Sequence, residues 1–340
     1  MATAAPEHVL DQGEVAEAAR AAFEGRLRDF GRLFPVFANT GILERQAVRP
    51  MDWYRSQKSW PERTEAYLDG GVDLFVRAAT RALELAGIEP QAVDTVVTVS
   101  STGVATPSLE ARAMARLPFR ADIARVPLFG LGCAGGVTGL SLAARLARAR
   151  PGETTLVVAV ELCTLAFRLD EMTSANLVAT ALFGDGAAAC VLSTAGHGRA
   201  AIEDGAEHTW PDSLAIMGWR VDAEGFGVIF DRSIPAFVLA NVRAAMEGMA
   251  ARMGLALADV DRFVCHPGGA KVLEALEAAL GLPEGALDHE RAVLARHGNM
   301  SAPTALFVLE RVLAAGGGGR RLMLSALGPG FTASALSLAT

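Results

Sequence analysis

Three side chains have the types and settings that nucleophilic acyl chemistry requires: Cys133, His266 and Asn299. Cys133 sits in PLFGLGCAGGVTGL, where a β-type run gives way to glycines and then to a helical pattern. A thiol at a helix N-terminus faces unpaired N–H groups, which favour its thiolate and lower its pKa. The surrounding glycines permit a sharp turn and a close approach of substrate to the backbone. This is the cysteine counterpart of the nucleophile elbow of serine hydrolases. His266 follows the run DRFVC and precedes Pro267, Gly268 and Gly269, which projects it into a crevice at a strand's carboxyl end. Asn299, in HGNMSAPTAL, stands just ahead of another helical pattern. Taken singly, each has a plain structural reading: a buried Cys beside a turn, a hydrogen-bonded His, an N-capping Asn. Together they supply a nucleophile, a base that also donates a hydrogen bond, and a neutral amide donor. The two donors would stabilise the enolate left when a malonyl thioester loses carbon dioxide, and a carboxylate in place of the amide would repel that charge.

Other reactive residue types give weaker signals. Cys163, Cys190 and Cys265 lie in or beside apolar runs and read as buried small hydrophobes, with Cys163 at a strand end closest to the site. The four cysteines never form CxxC and the six histidines show no helical ligand spacing, so neither a disulfide framework nor a metal site is expected. Phe183, in ALFGDGAAACVL, reads by default as a core aromatic.

The elements that must position these residues recur. DTVVTVSS (94–101), RVPLFG (125–130), TTLVVAVEL (154–162) and AAACVLS (187–193) read as strands. Residues 13–28, 72–87 and 134–149 read as helices, the last stopped by Pro151-Gly152. The stretch 196–236, rich in Gly, Asp, Trp and Pro, reads as loops and short strands. The second half repeats the order of the first. Gly254 follows Gly87 by 167 residues, Leu306 follows Leu140 by 166, and Leu322 follows Leu156 by 166. Asn299 follows Cys133 by the same 166 residues. Four near-equal offsets point to a duplicated β/α unit, with halves at 1–195 and 196–340 whose sheets pack around shared buried helices. A site on the pseudo-two-fold axis would draw Cys133 from one half and Asn299 from the other.

Composition narrows the class. A net charge of −7 argues against nucleic acid or an anionic membrane as the main partner. The acidic N-terminal stretch does not read as a signal peptide, and no apolar run approaches the roughly 18 residues of a membrane span. A soluble, cytoplasmic protein is expected. With 51% hydrophobic residues and few aromatics, it has material for a tightly packed α/β core.

At its motifs the chain resembles the type III polyketide synthases, the chalcone-synthase-like branch of the thiolase fold. The matching segments are GLGCAGG, ALFGDGAAA, CHPGG, GNMSAP and GPGF, in this order, and the likeness runs over roughly residues 30–340. The resemblance implies an αβαβα layered homodimer without metal or organic cofactor. It implies Cys133, His266 and Asn299 as the catalytic triad and Phe183 as gatekeeper. Cys163, Ala166, Thr106, Val228, Leu327, Gly328 and Pro329 would line the substrate cavity. Arg32, Gly268, Gly269 and Ser301 would hold CoA. The implied reaction loads an acyl group from acyl-CoA, extends it with malonyl-CoA and cyclises the product. Of three basic CoA-binding positions in plant members, only Arg32 carries over; Pro35 and Asn39 occupy the others, and Arg45 and Lys271 are the available replacements. The final loop reads ALGPG, not GFGPG. DWYRSQKSWPERTEAYLDG and VELCTLAFR look like bacterial members that make alkylpyrones or alkylresorcinols, so a medium- or long-chain acyl starter is expected. The alternatives are a β-ketoacyl synthase III working with acyl carrier protein, disfavoured by Pro267-Gly268-Gly269 and Met300, and a non-catalytic scaffold, disfavoured by the intact triad.

Overall fold

The computed structural model describes residues 1–316 and 319–340. Its centre is the strand Thr154–Leu162, buried along its whole length as its unbroken apolar run requires. It pairs in parallel with Thr95–Val99 and antiparallel with Asp185–Ser193. Ala2–Ala4 and Ala124–Leu128 form the two edges of this five-stranded sheet. A second sheet runs Arg262–Cys265, Arg321–Gly328, Thr332–Ala339, Ala201–Thr209. Its first pair is parallel and the other two antiparallel.

Between the sheets lie two helices, Gly135–Ala149 and Ala302–Ala314, whose buried faces are built from Gly, Ala, Val and Leu. Val137, Leu140, Leu306 and Val308 join strand residues of both sheets in one core cluster. Small residues let these helices approach closely. A Cβ at Gly136 would stand 2.3 Å from Ala302 O. Outside the first sheet packs the 27-residue helix Trp60–Ala86; outside the second pack Ile234–Arg252 and Ala270–Leu280. The order is helix, sheet, helices, sheet, helices.

The long outer helix begins twelve residues before the position its periodicity indicates. The Ser59 hydroxyl accepts from Glu62 N–H while the Glu62 carboxylate accepts from Ser59 N–H, a reciprocal cap that starts the helix before its amphipathic stretch. Gly87, in the left-handed conformation, ends it. Ala201–Thr209 is a full nine-residue strand where composition indicated loops and short strands. It is an edge strand, so its polar side chains remain partly in water while its backbone pairs with Thr332–Ala339.

The spacing-derived repeats fall on like elements: helix Gly135–Ala149 with Ala302–Ala314, strand Thr154–Leu162 with Arg321–Gly328, strand Thr95–Val99 with Arg262–Cys265. One element breaks the repeat. The stretch 166 residues beyond Ala124–Leu128 lies within the helix Asp288–His297, so the second sheet lacks that edge strand.

Candidate active site

Cys133 lies in a single 3₁₀ turn, Gly132–Ala134, between the edge strand and the central helix. Gly132 has φ +48°, and a Cβ there would meet Pro329 Cδ at 2.6 Å, so both conformation and space demand glycine. Gly328 and Pro329 therefore pack directly on the cysteine turn, with Leu327 just before them in the strand. The thiol is buried. His266 extends the strand Arg262–Cys265, its N–H donating to Ser325 O at 2.8 Å. Its ring is buried, and among the described residues neither nitrogen has a hydrogen-bond partner. Unpaired buried nitrogens are costly unless a ligand meets them.

Asn299 is clamped by its backbone. Its N–H donates to Leu182 O (2.8 Å) and its carbonyl accepts from Gly184 N–H (3.0 Å), forming an isolated parallel bridge to Phe183. Its Oδ1 accepts from Ser301 N–H (2.8 Å) and faces Cys133 Sγ at 3.9 Å. Among the described residues its Nδ2 reaches only Gly268 O, at a long 3.4 Å, and so keeps donor capacity for a ligand. A methyl group at Gly268 would lie 3.9 Å from His266 Nε2, so Gly268 stands beside both side chains. Residues from three distant segments thus converge, and the N-termini of both central helices point at the same place.

Burial dominates the electrostatics. It pushes the Cys133 thiol up to about 11, against the lowering expected from the helix N-terminus, and the His266 imidazole down to about 3. A hydrogen bond from Ser301 opposes the thiol's shift. Ser301, expected among the CoA contacts, is buried beside the sulfur with φ +58°, a strained conformation for a serine.

Phe183 is a wall residue and not a core aromatic. It packs edge-on to Trp219 with ring centroids 6.2 Å apart, and Trp219 Nε1–H donates to Ser101 O. Ala166 and Val228 are buried in the cluster against these two rings. Cys163, Ala179 and Phe183 form one wall of a cavity of about 1000 Å³ that extends to the helix Gln12–Phe23 and to Met51 and Tyr54. Cys133, His266 and Asn299 do not line that cavity, whereas Phe183 does.

Two other expectations are corrected. Thr106 is exposed on the loop before the cis Thr106–Pro107 bond, because the chain leaves the strand Thr95–Val99 outward before turning into the helix Leu109–Ala113. Arg45 cannot take a CoA phosphate: it is buried, and its guanidinium is committed to three backbone carbonyls. Arg32 is exposed and pairs with Asp29 at 3.4 Å. Gly41, near it in sequence, packs on Ala270 beside the Gly268–Gly269 turn. Lys271 is exposed on the same helix start. Glu161 was not singled out as a functional residue by sequence. It is fully buried at the end of the central strand, accepts from Ser101 N–H at 2.9 Å, is raised to about 8 by burial, and acts on the thiols of Cys133 and Cys163. The available signal was a lone acid in TTLVVAVEL.

Two family models account for most of the chain: chalcone and stilbene synthases, N-terminal domain, over residues 51–196, and C-terminal domain, over residues 202–340. The chain belongs to the chalcone and stilbene synthase family. It is 36% identical to a putative chalcone synthase of Bacillus subtilis (strain 168), over 98% of this chain and 96% of the relative. It is 38% identical to the 1,3,6,8-tetrahydroxynaphthalene synthase of Streptomyces peucetius subsp. caesius, over 97% of this chain and 89% of that protein. Among solved structures, the 1,3,6,8-tetrahydroxynaphthalene synthase of Streptomyces coelicolor A3(2), a bacterial type III polyketide synthase, superposes with a TM-score of 0.94 at 27% identity, covering 99% and 97% of the two chains. CsyB complexed with CoA-SH gives 0.90 at 25% identity, covering 99% and 98%. This member of the chalcone and stilbene synthase family is therefore a type III polyketide synthase of thiolase-type fold, an acyl-transferring enzyme of decarboxylative malonyl-CoA condensation.

Proposed function

We propose that Cys133 takes a medium- or long-chain acyl group from acyl-CoA, and that the extended chain closes to an alkylpyrone or alkylresorcinol-like product. In the loading step Sγ attacks the thioester carbonyl, His266 accepts the thiol proton, and CoA leaves carrying a proton. Malonyl-CoA then loses carbon dioxide, and the Nε2–H of His266 and the Nδ2–H of Asn299 stabilise the resulting enolate. The enolate carbon attacks the acyl carbonyl, and the Cys133 sulfur leaves as thiolate. The unpartnered His266 nitrogens and the long Asn299 contact support these roles. Arg32, with the Gly268–Gly269 turn, serves the CoA entrance.

The cavity of about 1000 Å³ behind Cys163 and Phe183 carries the starter assignment. Leu10, Val15, Ala18, Met51, Phe167 and Leu169 give it an apolar stretch that suits an alkyl chain, while Glu14, Glu17, Arg26 and Arg55 also line it. Straight-chain acyl-CoA thioesters of increasing length, each with malonyl-CoA and products read by mass spectrometry, test it. Medium and long chains should react best, and Cys163→Phe should shift the optimum to short ones. Turnover of short or aromatic starters alone would end this reading. The tetrahydroxynaphthalene synthases among its relatives favour a second reading, a polyhydroxylated aromatic with no alkyl tail, which the same assay with malonyl-CoA alone reveals.

A homodimer belongs to the same proposal. The edge strand Ala124–Leu128 leads into Phe129, 57% exposed, and its neighbouring loop carries Val104, 54% exposed. Covering this apolar edge with a second copy would also bury Thr106 against the partner. The two sheets, divided near residues 195 and 196, are read as the duplicated halves. Four free cysteines, all buried, accord with a reducing cytoplasm.

A further inference from the structure

Arg45 lies in the strand Glu44–Ala47 and is 1% exposed. Among the described residues no carboxylate forms an ion pair with it, and Asp11 acts on it only at a distance. Its Nη1 donates to Thr180 O (2.8 Å) and Phe183 O (3.3 Å), and its Nη2 to Ala181 O (3.1 Å). These carbonyls belong to the last turn of the helix Ser174–Leu182 and its cap, where the free C=O groups carry partial negative charge. Burial pulls the guanidinium down to about 10, so it remains charged at neutral pH.

The same helix end holds Asn299 through the Leu182 and Gly184 bonds. Gln46, the next residue of the strand, ties the other turn: Nε2 donates to Arg296 O (3.1 Å) and Oε1 meets His297 Nδ1 (2.6 Å). The two turns touch backbone to backbone. A Cβ at Gly184 would lie 2.2 Å from His297 O, and one at Gly298 would lie 2.7 Å from Leu182 O and 3.6 Å from Arg45 Cβ. The strand is thus strapped across the junction that carries Phe183 on one side and Asn299 on the other.

We propose that Arg45 and Gln46 are positioning residues that fix Asn299 and Phe183 relative to Cys133, so that this strand controls the decarboxylation step more than the loading step. An apolar side chain of similar volume would fill the space but take the donor from Thr180 O and Phe183 O, leaving Ala181 O only Gln12 Nε2–H at 3.2 Å, and the turn would relax. The inference rests on Asn299 acting in decarboxylation, as proposed above.

The full-length protein is tested as Arg45→Met, with Arg45→Lys and Asn299→Ala alongside, well below the unfolding temperature of each. Two steps are read separately: acylation of Cys133 by acyl-CoA alone, as a mass adduct, and the kcat and KM of malonyl-CoA decarboxylation. Arg45→Met should load within about threefold of wild type but decarboxylate at least roughly tenfold slower, with KM changed less than threefold. Arg45→Lys should recover part of the loss. Decarboxylation at the wild-type rate, or an equal loss in both steps, would overturn the proposal. If Arg45→Met does not fold, Gln46→Leu is read in the same way, with the same selective loss expected and an unchanged ratio of the two steps overturning it. An unaffected Asn299→Ala would overturn the triad reading as well. An inactive Asn299→Ala with a normal Arg45→Met would overturn the tether alone.

Discussion

Burial holds Cys133 and His266 in uncharged forms when each is considered singly, the thiol near 11 and the imidazole near 3. Moving the thiol proton to His266 creates two opposite charges that relieve one another, in a place faced by two helix N-termini. In the proposed loading step the reactive form is therefore a property of the pair, with a shared titration. Alkylation of Cys133 by iodoacetamide should persist in the wild type to pH values several units below 11. In His266→Ala the midpoint should return toward 11, because burial then acts on the thiol without relief. Coincident pH profiles for the two proteins would remove the pair as the source of reactivity.

The two central helices are where local sequence and chemistry are most tightly joined. Each begins within three residues of a candidate side chain, and their mutual approach sets the gap between Cys133 and Asn299. Gly136 makes that approach feasible, since an added methyl would sit 2.3 Å from Ala302 O. Gly136→Ala should cost roughly 1–3 kcal/mol by overpacking, measured by urea unfolding. It should also lower condensation by more than the unfolded fraction explains, because the displaced helix carries Asn299 or Cys133 with it. A variant of normal stability and normal rate would mean that the helices have slack the contact does not show.

Two properties belong to the whole molecule. The exposed edge at Phe129 predicts a dimer. Phe129→Glu should shift sedimentation from two copies toward one, and an unchanged distribution would place the interface elsewhere. The second property is the response of stability to pH. Burial raises Asp185 to about 6, Glu290 to about 7 and Glu161 to about 8. Each binds its proton more tightly folded than unfolded, so its contribution is complete below an ordinary carboxyl pKa near ~4 and is lost as pH rises through these values. His266 and His297, lowered to about 3 and about 4, act oppositely: their contribution is complete above the ordinary value near ~6.5 and is lost as pH falls. The two sets oppose one another in mild acid. Between ~6.5 and ~8.5 the carboxyls are the main groups still changing, each displaced unit being worth about 1.4 kcal/mol, the raised thiols following at higher pH. The thermal midpoint should therefore fall between about pH 6.5 and 8.5, and Glu161→Gln should flatten the upper part of that fall. Calorimetry showing a rise over this range would contradict it.

Much of this was already fixed by the order of residues. Hydrophobic period, caps and glycine turns are local, so the strand at 154–162 and the central helices are legible directly, and the 166-residue offset alone pairs Cys133 with Asn299. Other features depend on what packs against them. Ser301 beside the thiol, Thr106 on the outside, Arg45 sealed under a helix end and the edge strand at 201–209 follow from neighbours 100 or more residues away in most cases, which no local pattern encodes. The thiol's own tendency went the same way: a helix N-terminus is a local favour to the anion, but the surrounding layers exclude water from it, and desolvation is the larger effect. Sequence determined which groups were present and how the chain would repeat; only the packed layers decided which of them meet and in what state of charge.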